Sequence, residues 1–225
     1  MIVIVPTRNR PLSAADLIEC WRQTDATATL FFAVNDDDPQ LQSYHTLLVD
    51  APDFVRWLRV PATNMGEALQ YAAQRTGKHD VVGFMGDDHR PRTPRWDARI
   101  RDEFGIRGPA VVYGDDRIHG RNLPTQVFLP GEFVRRVGHM APPGLIHLYL
   151  DNYWRELGLQ AGALHFLADV IIEHMHPIAG KAEWDEDYVR VNSGGVYQAD
   201  AATFAEFDMA PDVATLIRLR EEWSA

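Results

Sequence analysis

VVGFMGDDH, residues 81–89, ends a short apolar run in two adjacent carboxylates and a histidine. Val81 to Met85 has the composition of a buried strand. Asp87 and Asp88 follow directly at its mouth, then His89. Like charges side by side repel, so something must compensate them. Two readings fit: a solvated turn with a helix cap, or oxygen ligands for a hard divalent cation that bridges phosphates. The buried strand in front of the pair favours the cation.

The segments upstream repeat the same plan. Ile2 to Val5 is a β-branched run closed by Pro6, the pattern of a parallel strand buried on both faces. The polar turn Thr7-Arg8-Asn9-Arg10-Pro11 follows, and Ser13 is placed to cap a helix from Ala14 to about Thr24. Thr29 to Val34 reads as a second strand, ending in Asn35-Asp36-Asp37-Asp38-Pro39, more charge than a turn needs. A helix from Gln40 to Val49, a strand from Val55 to Val60 and a helix opened by Asn64-Met65-Gly66-Glu67 complete the alternation. Strand and helix in turn give an open α/β sheet. Ligands of such sheets bind beyond the carboxyl ends of the strands, so the loops after Val5, Val34 and Met85 are expected to share one crevice.

The second half is less regular. Ala110 to Tyr113 and Thr125 to Leu129 read as short strands, Leu145 to Leu157 as a helix carrying Asp151, and Leu167 to Ile172 as a strand entering Glu173-His174-Met175-His176. Alternate residues of an extended segment point the same way, so His174 and His176 can face one site, and imidazole suits Mn and other first-row metals. Asp151 lies in the aromatic run HLYLDNYW. A carboxylate there is either buried in a hydrogen-bonded network or a general base of raised pKa. Tyr149, Tyr153 and Trp154 beside it could stack on a sugar. Ala201 to Trp223 reads as a terminal helical segment interrupted at Pro211.

Composition narrows the function classes. The chain has 225 residues, 46% of them hydrophobic, enough for one domain with a sizeable core. Its formal net charge of −10 argues against broad nucleic-acid binding, although Arg90, Arg92, Arg95, Arg99, Arg101 and Arg107 cluster in one stretch. The single cysteine, Cys20, excludes an intrachain disulfide. There is no basic leader and no run of about 18 apolar residues, so a soluble, cytoplasmic protein without a membrane span is expected. The sequence holds no P-loop, no G-x-G-x-x-G, no G-x-S-x-G and no C-x-x-C.

The order of these motifs resembles the family 2-like glycosyltransferases of the GT-A fold. VIVPTRNRP is similar to their opening strand and loop, and FFAVNDDDP to their second strand with its base-binding acid. NMGEALQYAAQ is similar to the helix after the third strand, VVGFMGDDH stands where their D-x-D metal motif belongs, LYLDNYW where the catalytic base belongs, and EHMHP where a late histidine completes the metal site. The resemblance covers roughly residues 1–190. It implies an open, mostly parallel twisted sheet flanked by helices, with a small antiparallel part in the second half, in one domain over 1–225. Within it, 1–100 would bind the nucleotide, 101–200 would complete the metal and acceptor side, and 201–225 would form a C-terminal helical segment.

The resemblance also implies residue roles. Pro6, Thr7 and Arg8 would line the base pocket, Asp36 or Asp37 would bind base or ribose, and Asn64 and Gly66 would shape the nucleotide site. Asp87 and Asp88, with His174 or His176, would hold Mn²⁺ or Mg²⁺ against the diphosphate, and Asp151 would deprotonate the acceptor hydroxyl. Because the motif is written Gly86-Asp87-Asp88-His89, the ligating residue stays open, and His89 can stand for the second acid. The expected activity is sugar transfer from a UDP- or GDP-linked donor to an acceptor hydroxyl, with inversion. The acceptor is open between a glycan, a protein, a small molecule and a modified nucleobase. A sugar-nucleotide pyrophosphorylase would resemble a Gly-rich G-x-G-T-R loop after the first strand, where this chain has Pro6-Thr7-Arg8-Asn9. The other alternative is a non-catalytic binding module on the same sheet.

Overall fold

A computed structural model describes residues 1–225, apart from the side chains at 186 and 187. Strand β1 (Ile2–Thr7) is buried along its whole length, as its unbroken apolar run requires. It pairs in parallel with β2 (Thr29–Asn35) on one side and β4 (Val81–Phe84) on the other, and β2 pairs in parallel with β3 (Val55–Val60). Parallel neighbours need crossovers. Helices α1 (Pro11–Gln23), α2 (Leu41–Val49) and α3 (Met65–Ala73) supply them. The outer strand β3 carries exposed Arg56 and Arg59, charges that blunt a sheet edge.

The remaining strands are β5 (His89–Pro91), β6 (Val111–Asp115), β7 (Val127–Pro130) and β8 (Leu164–His174). They complete an eight-stranded sheet in the order β3-β2-β1-β4-β7-β6-β8-β5. Strand β7 runs antiparallel to β4 and β6, and β5 antiparallel to β8, while β6 and β8 are parallel. The antiparallel part therefore lies in the second half, as expected. Helices α4 (Trp96–Arg107), α5 (Gly131–Val137) and α6 (Leu150–Gln160) flank it. Three more close the chain: α7 (Glu186–Val191), α8 (Gly194–Glu206) and α9 (Ala210–Ser224).

Several expected boundaries are corrected. Helix α1 begins at Pro11, not after a Ser13 cap, because proline suits the first helical turn, where its missing N–H costs nothing. The helix expected from Leu145 begins only at Leu150. The backbone N–H groups of Ile146, His147 and Leu148 instead donate to the carboxylate of buried Asp200, at 2.6, 3.0 and 2.6 Å. The terminal helical segment is interrupted as expected, between Glu206 and Ala210, with Pro211 in the first turn of α9. Among the described residues, no helix is long and apolar enough to cross a membrane.

The basic stretch is largely neutralised internally. Arg92 pairs with Glu173, Arg99 with Glu103 and Asp169, Arg101 with Asp97, and Arg107 with Glu103. The buried Arg90 guanidinium donates to the carbonyls of Asp87 and His89, and so braces the acidic loop from beneath.

Candidate functional site

The strand order reverses at β1, with β2 on one side and β4 on the other. Crevices form at such switch points, beyond the carboxyl ends of the strands. A cavity of about 370 Å³ opens there. Pro6, Thr7 and Arg8 from the end of β1, Asn64, the acidic loop Asp87-Asp88-His89, Asp151, His174 and His176 all line it. Residues scattered over the sequence are thus brought to one place.

The wall at the end of β1 is held by a chain of hydroxyls. The Arg10 N–H donates to the Tyr44 hydroxyl (2.9 Å), which lies 2.7 Å from Thr7 Oγ1, and Thr7 donates to Asp87 Oδ2 (2.6 Å). Since the single Thr7 proton goes to Asp87, Tyr44 donates to Thr7. Burial and the neighbouring Asp88 push the Asp87 carboxyl up to about 7, against Arg10, whose guanidinium stands 3.6 Å away.

Asp88 is treated differently by the fold. Burial, the largest single influence, raises its pKa, but the charge and hydrogen bonds of His174 and His89 together hold it well below the ordinary carboxylate range. Its Oδ2 lies 3.2 Å from His174 Nε2 and accepts the Tyr188 hydroxyl at 2.6 Å. Its Oδ1 lies 3.2 Å from His89 Nδ1. Burial and His174 lower the His89 pKa and keep that ring neutral, whereas Asp88 raises the His174 pKa against burial. The two imidazoles stack with centroids 4.2 Å apart. Antiparallel pairing of His89 with His174 across β5 and β8 sets this geometry.

Asp88, His89 and His174 each offer a ligand atom, and these atoms lie within 4.8 Å of one another. One carboxylate oxygen and two imidazole nitrogens suit a first-row divalent metal such as Mn²⁺. Asp87 is outside this group, tied to Thr7 and Arg10. His176 lines the cavity, but its Nδ1 accepts the Ile178 N–H (3.2 Å). Asp151 sits in the first turn of α6, its pKa raised by burial, with Oδ1 accepting the Asn152 N–H (3.0 Å).

Other expected residues fall elsewhere. Asp36 and Asp37 are exposed at the rim, and Asp37 pairs with Arg8 instead of facing the cavity. Gly66 acts through packing. A Cβ there would stand 1.8 Å from the Leu145 carbonyl oxygen, and its N–H donates to Ile146 (3.0 Å). Of the three aromatic residues beside Asp151, Tyr153 is fully buried and donates to Asp212 (2.6 Å), and Tyr149 packs on Tyr197 and Phe204. Only Trp154 lines the cavity.

The sequence reading passed over Asn35, Arg10, His147 and Tyr188, all of which line the cavity. The Arg10 guanidinium stacks on the Tyr188 ring (3.8 Å) and bonds Asp185 at 3.0 and 2.8 Å, so it ties the α7 segment over the site. Arg10 stands in the opening motif and was within reach; nothing local marks Tyr188.

No family model matches the chain, and no curated protein sequence does. Solved structures do. The mannosyltransferase PcManGT from Pyrobaculum calidifontis, in complex with GDP-Man and Mn²⁺, superposes with a TM-score of 0.67 at 12% identity, covering 97% of this chain and 69% of that one. S. aureus TarS in complex with UDP-GlcNAc gives 0.59 at 11% identity, over 98% and 72% of the two chains. Glucosyl-3-phosphoglycerate synthase from Mycobacterium tuberculosis, in complex with Mn²⁺, UDP and phosphoglyceric acid, gives 0.58 at 14%, over 90% and 76%. These likenesses, with the mixed eight-stranded sheet, show that the chain has the GT-A fold.

Proposed function

We propose that this GT-A chain is a metal-dependent glycosyltransferase that moves a hexosyl or pentosyl group from a UDP- or GDP-linked donor to an acceptor hydroxyl, with inversion. The observation that carries this reading is convergence: the Asp88, His89 and His174 ligand atoms, the Thr7–Asp87 hydroxyl chain and Asp151 meet in one cavity. The fold supports it, since solved structures of that fold hold GDP-Man or UDP-GlcNAc.

Residues 1–100 take the nucleotide in this reading. Pro6, Thr7, Arg8 and Asn64 line its base and ribose end. Asn35 stands in the wall where Asp36 or Asp37 was expected, with those two acids at the rim, Asp37 fixing Arg8. Asp87, whose pKa burial and Asp88 push up, can accept from a sugar hydroxyl and, when protonated, donate to one. Asp88, His89 and His174 would hold Mn²⁺ or Mg²⁺, with His176 beside them. When bound, the cation stabilises the negative charge that grows on the departing nucleoside diphosphate. Asp151, raised by burial, is the base that takes the acceptor proton, and attack from its side inverts the anomeric carbon. The acceptor enters on the side of residues 101–200 and is a glycan, a protein, a small molecule or a modified nucleobase. The internal pairing of the arginines between 90 and 107 weakens the last of these. A single buried thiol suits a reducing compartment, which supports a cytoplasmic setting.

The test is a thermal-shift panel of UDP- and GDP-sugars with and without Mn²⁺, followed by product analysis. Release of UDP or GDP from the stabilising donor is expected. Release of pyrophosphate would make the chain a pyrophosphorylase, and no nucleotide binding at all would leave a binding module.

A further inference from the structure

The His89 ring is held at both ends. On one side the Gly86 N–H donates to Nδ1 (3.1 Å). On the other, Nε2 faces Thr125 Oγ1 (3.4 Å), and Thr125 donates its only hydroxyl proton to Asp116 Oδ2 (3.0 Å). A threonine oxygen whose proton is committed can only accept, so the ring proton belongs on Nε2. The Gly86 N–H independently requires a lone pair on Nδ1. The opposite tautomer would set two N–H groups against each other at Gly86 and leave Thr125 facing a bare nitrogen, in exchange for one Nδ1–H bond to Asp88 Oδ1 at 3.2 Å.

This tautomer leaves Nδ1 and Asp88 Oδ1, two electron-rich atoms, 3.2 Å apart. A cation between them would turn that repulsion into coordination, taking over the Nδ1 lone pair that the Gly86 N–H holds in the metal-free chain. Gly86 keeps the space open: a Cβ there would stand 2.6 Å from Asp88 Oδ1 and 3.1 Å from His89 Nδ1.

Asp116 is well placed to set both histidines. It is 1% exposed, and its Oδ1 accepts the N–H groups of Ile118, His119 and Gly120 at 3.0, 2.7 and 2.8 Å. That leaves Oδ2 for Thr125. The Asp116 carbonyl accepts the backbone N–H of His174 (3.0 Å), which anchors the second imidazole on the same residue.

We infer that Thr125 and Asp116 are positioning residues of the metal centre: the Asp116–Thr125 hydrogen bond locks His89 in the Nε2–H tautomer and so turns the Nδ1 lone pair toward the cation. The inference rests on the metal reading proposed above. Ligating histidines ordinarily donate their other N–H to a fixed acceptor, and loss of that acceptor costs about 10- to 100-fold in metal affinity.

The experiment titrates Mn²⁺ into the full chain by calorimetry and reads the His89 tautomer from imidazole ¹⁵N shifts in metal-free protein. Thr125→Val removes the acceptor and is expected to weaken Mn²⁺ by about 10- to 100-fold, while Thr125→Ser keeps the wild-type affinity. Asp116→Asn supplies a second arm. Its amide oxygen still serves the N–H groups of 118–120, but its NH₂ donates to Thr125, frees the hydroxyl proton for Nε2 and drives His89 to the Nδ1–H tautomer. That variant is expected to show the switched ¹⁵N pattern with weakened Mn²⁺ binding. Wild-type affinity in Thr125→Val, or an Nε2–H ring in Asp116→Asn, would overturn the inference and leave the metal reading standing. A wild-type chain that takes up no Mn²⁺ overturns both.

Discussion

The two walls of the cavity are held by different forces. The wall formed by Thr7, Tyr44, Asp87 and the Asn64 cap is joined by short hydrogen bonds that run mostly through hydroxyl and backbone groups. The wall formed by Asp88, His89, His174 and Tyr188 gathers groups whose charges depend on one another. Asp87 and Asp88 are neighbours in sequence yet belong to different walls, one carboxyl pushed up and the other held down. Under the proposed function, a site built this way keeps its nucleotide half formed while its other half is completed by a cation. Substitutions in the second wall should therefore be cation-dependent and those in the first should not.

The sharpest way to break the contrast is Asp88→Ala. It removes the charge that both histidines face, and Mn²⁺ binding is expected to fall by more than the roughly 100-fold upper range for a residue outside the coordination shell. Calorimetry reads this directly, and Mn²⁺ bound with near wild-type affinity would remove Asp88 from the centre. Asp151→Asn should leave donor and Mn²⁺ binding intact while lowering turnover by about 10²–10⁴-fold. A variant that transfers sugar at the wild-type rate would show that another group takes the proton.

A smaller effect follows from pH. His174 has its pKa raised by Asp88, so the pair stabilises the metal-free fold below the ordinary imidazole pKa of about 6.5 and loses that contribution as pH rises through the raised value. Asp87, raised to about 7, acts in the same direction, because the folded state holds a proton that the unfolded chain releases earlier. Ligation needs His174 neutral. Depressed His89 and His147 act in the opposite direction on the metal-free fold, so the quantity to read is the Mn²⁺-induced shift in Tm, which should grow from about pH 5 to 8 as the His174 proton is lost. A Mn²⁺ shift that shrinks with pH would exclude His174 as a ligand.

The strands that carry the first wall were legible in the sequence because their signals are local, whereas its Thr7–Tyr44 and Thr7–Asp87 bonds, across 37 and 80 residues, were not. The runs Ile2–Val5, Thr29–Val34 and Val55–Val60 are strands within a residue or so of where their composition puts them, and the acidic loop follows β4 as expected. The second wall depends on partners far along the chain. Strand β5 has three residues and exists only because it pairs with β8, with His89 opposite His174. The stretch from Leu145 to Tyr149 has the apolar content of a helix, but its N–H groups are taken by Asp200, 52 to 54 residues later. Tyr188 reaches Asp88 from a distance of 100 residues with no flanking motif to announce it. The acidic motif marked the place of the candidate centre; which atoms meet there is a property of the second half of the sheet.

The smallest expected effect tests the first wall alone. Asn64 Oδ1 accepts the Glu67 N–H at 2.9 Å, and Glu67 Oε2 returns to the Thr63 N–H at 2.8 Å, a reciprocal cap on α3. Replacing such a cap with alanine costs about 1 kcal/mol, which in a chain of this size lowers Tm by about 2–4 °C. Because the cap shares no group with Asp88, His89 or His174, Asn64→Ala should lower Tm equally with and without Mn²⁺ and leave Mn²⁺ affinity unchanged. A loss seen only in the presence of Mn²⁺ would mean that the two walls are coupled through the floor of the cavity, and the division between a hydroxyl-held half and a charge-held half would fail.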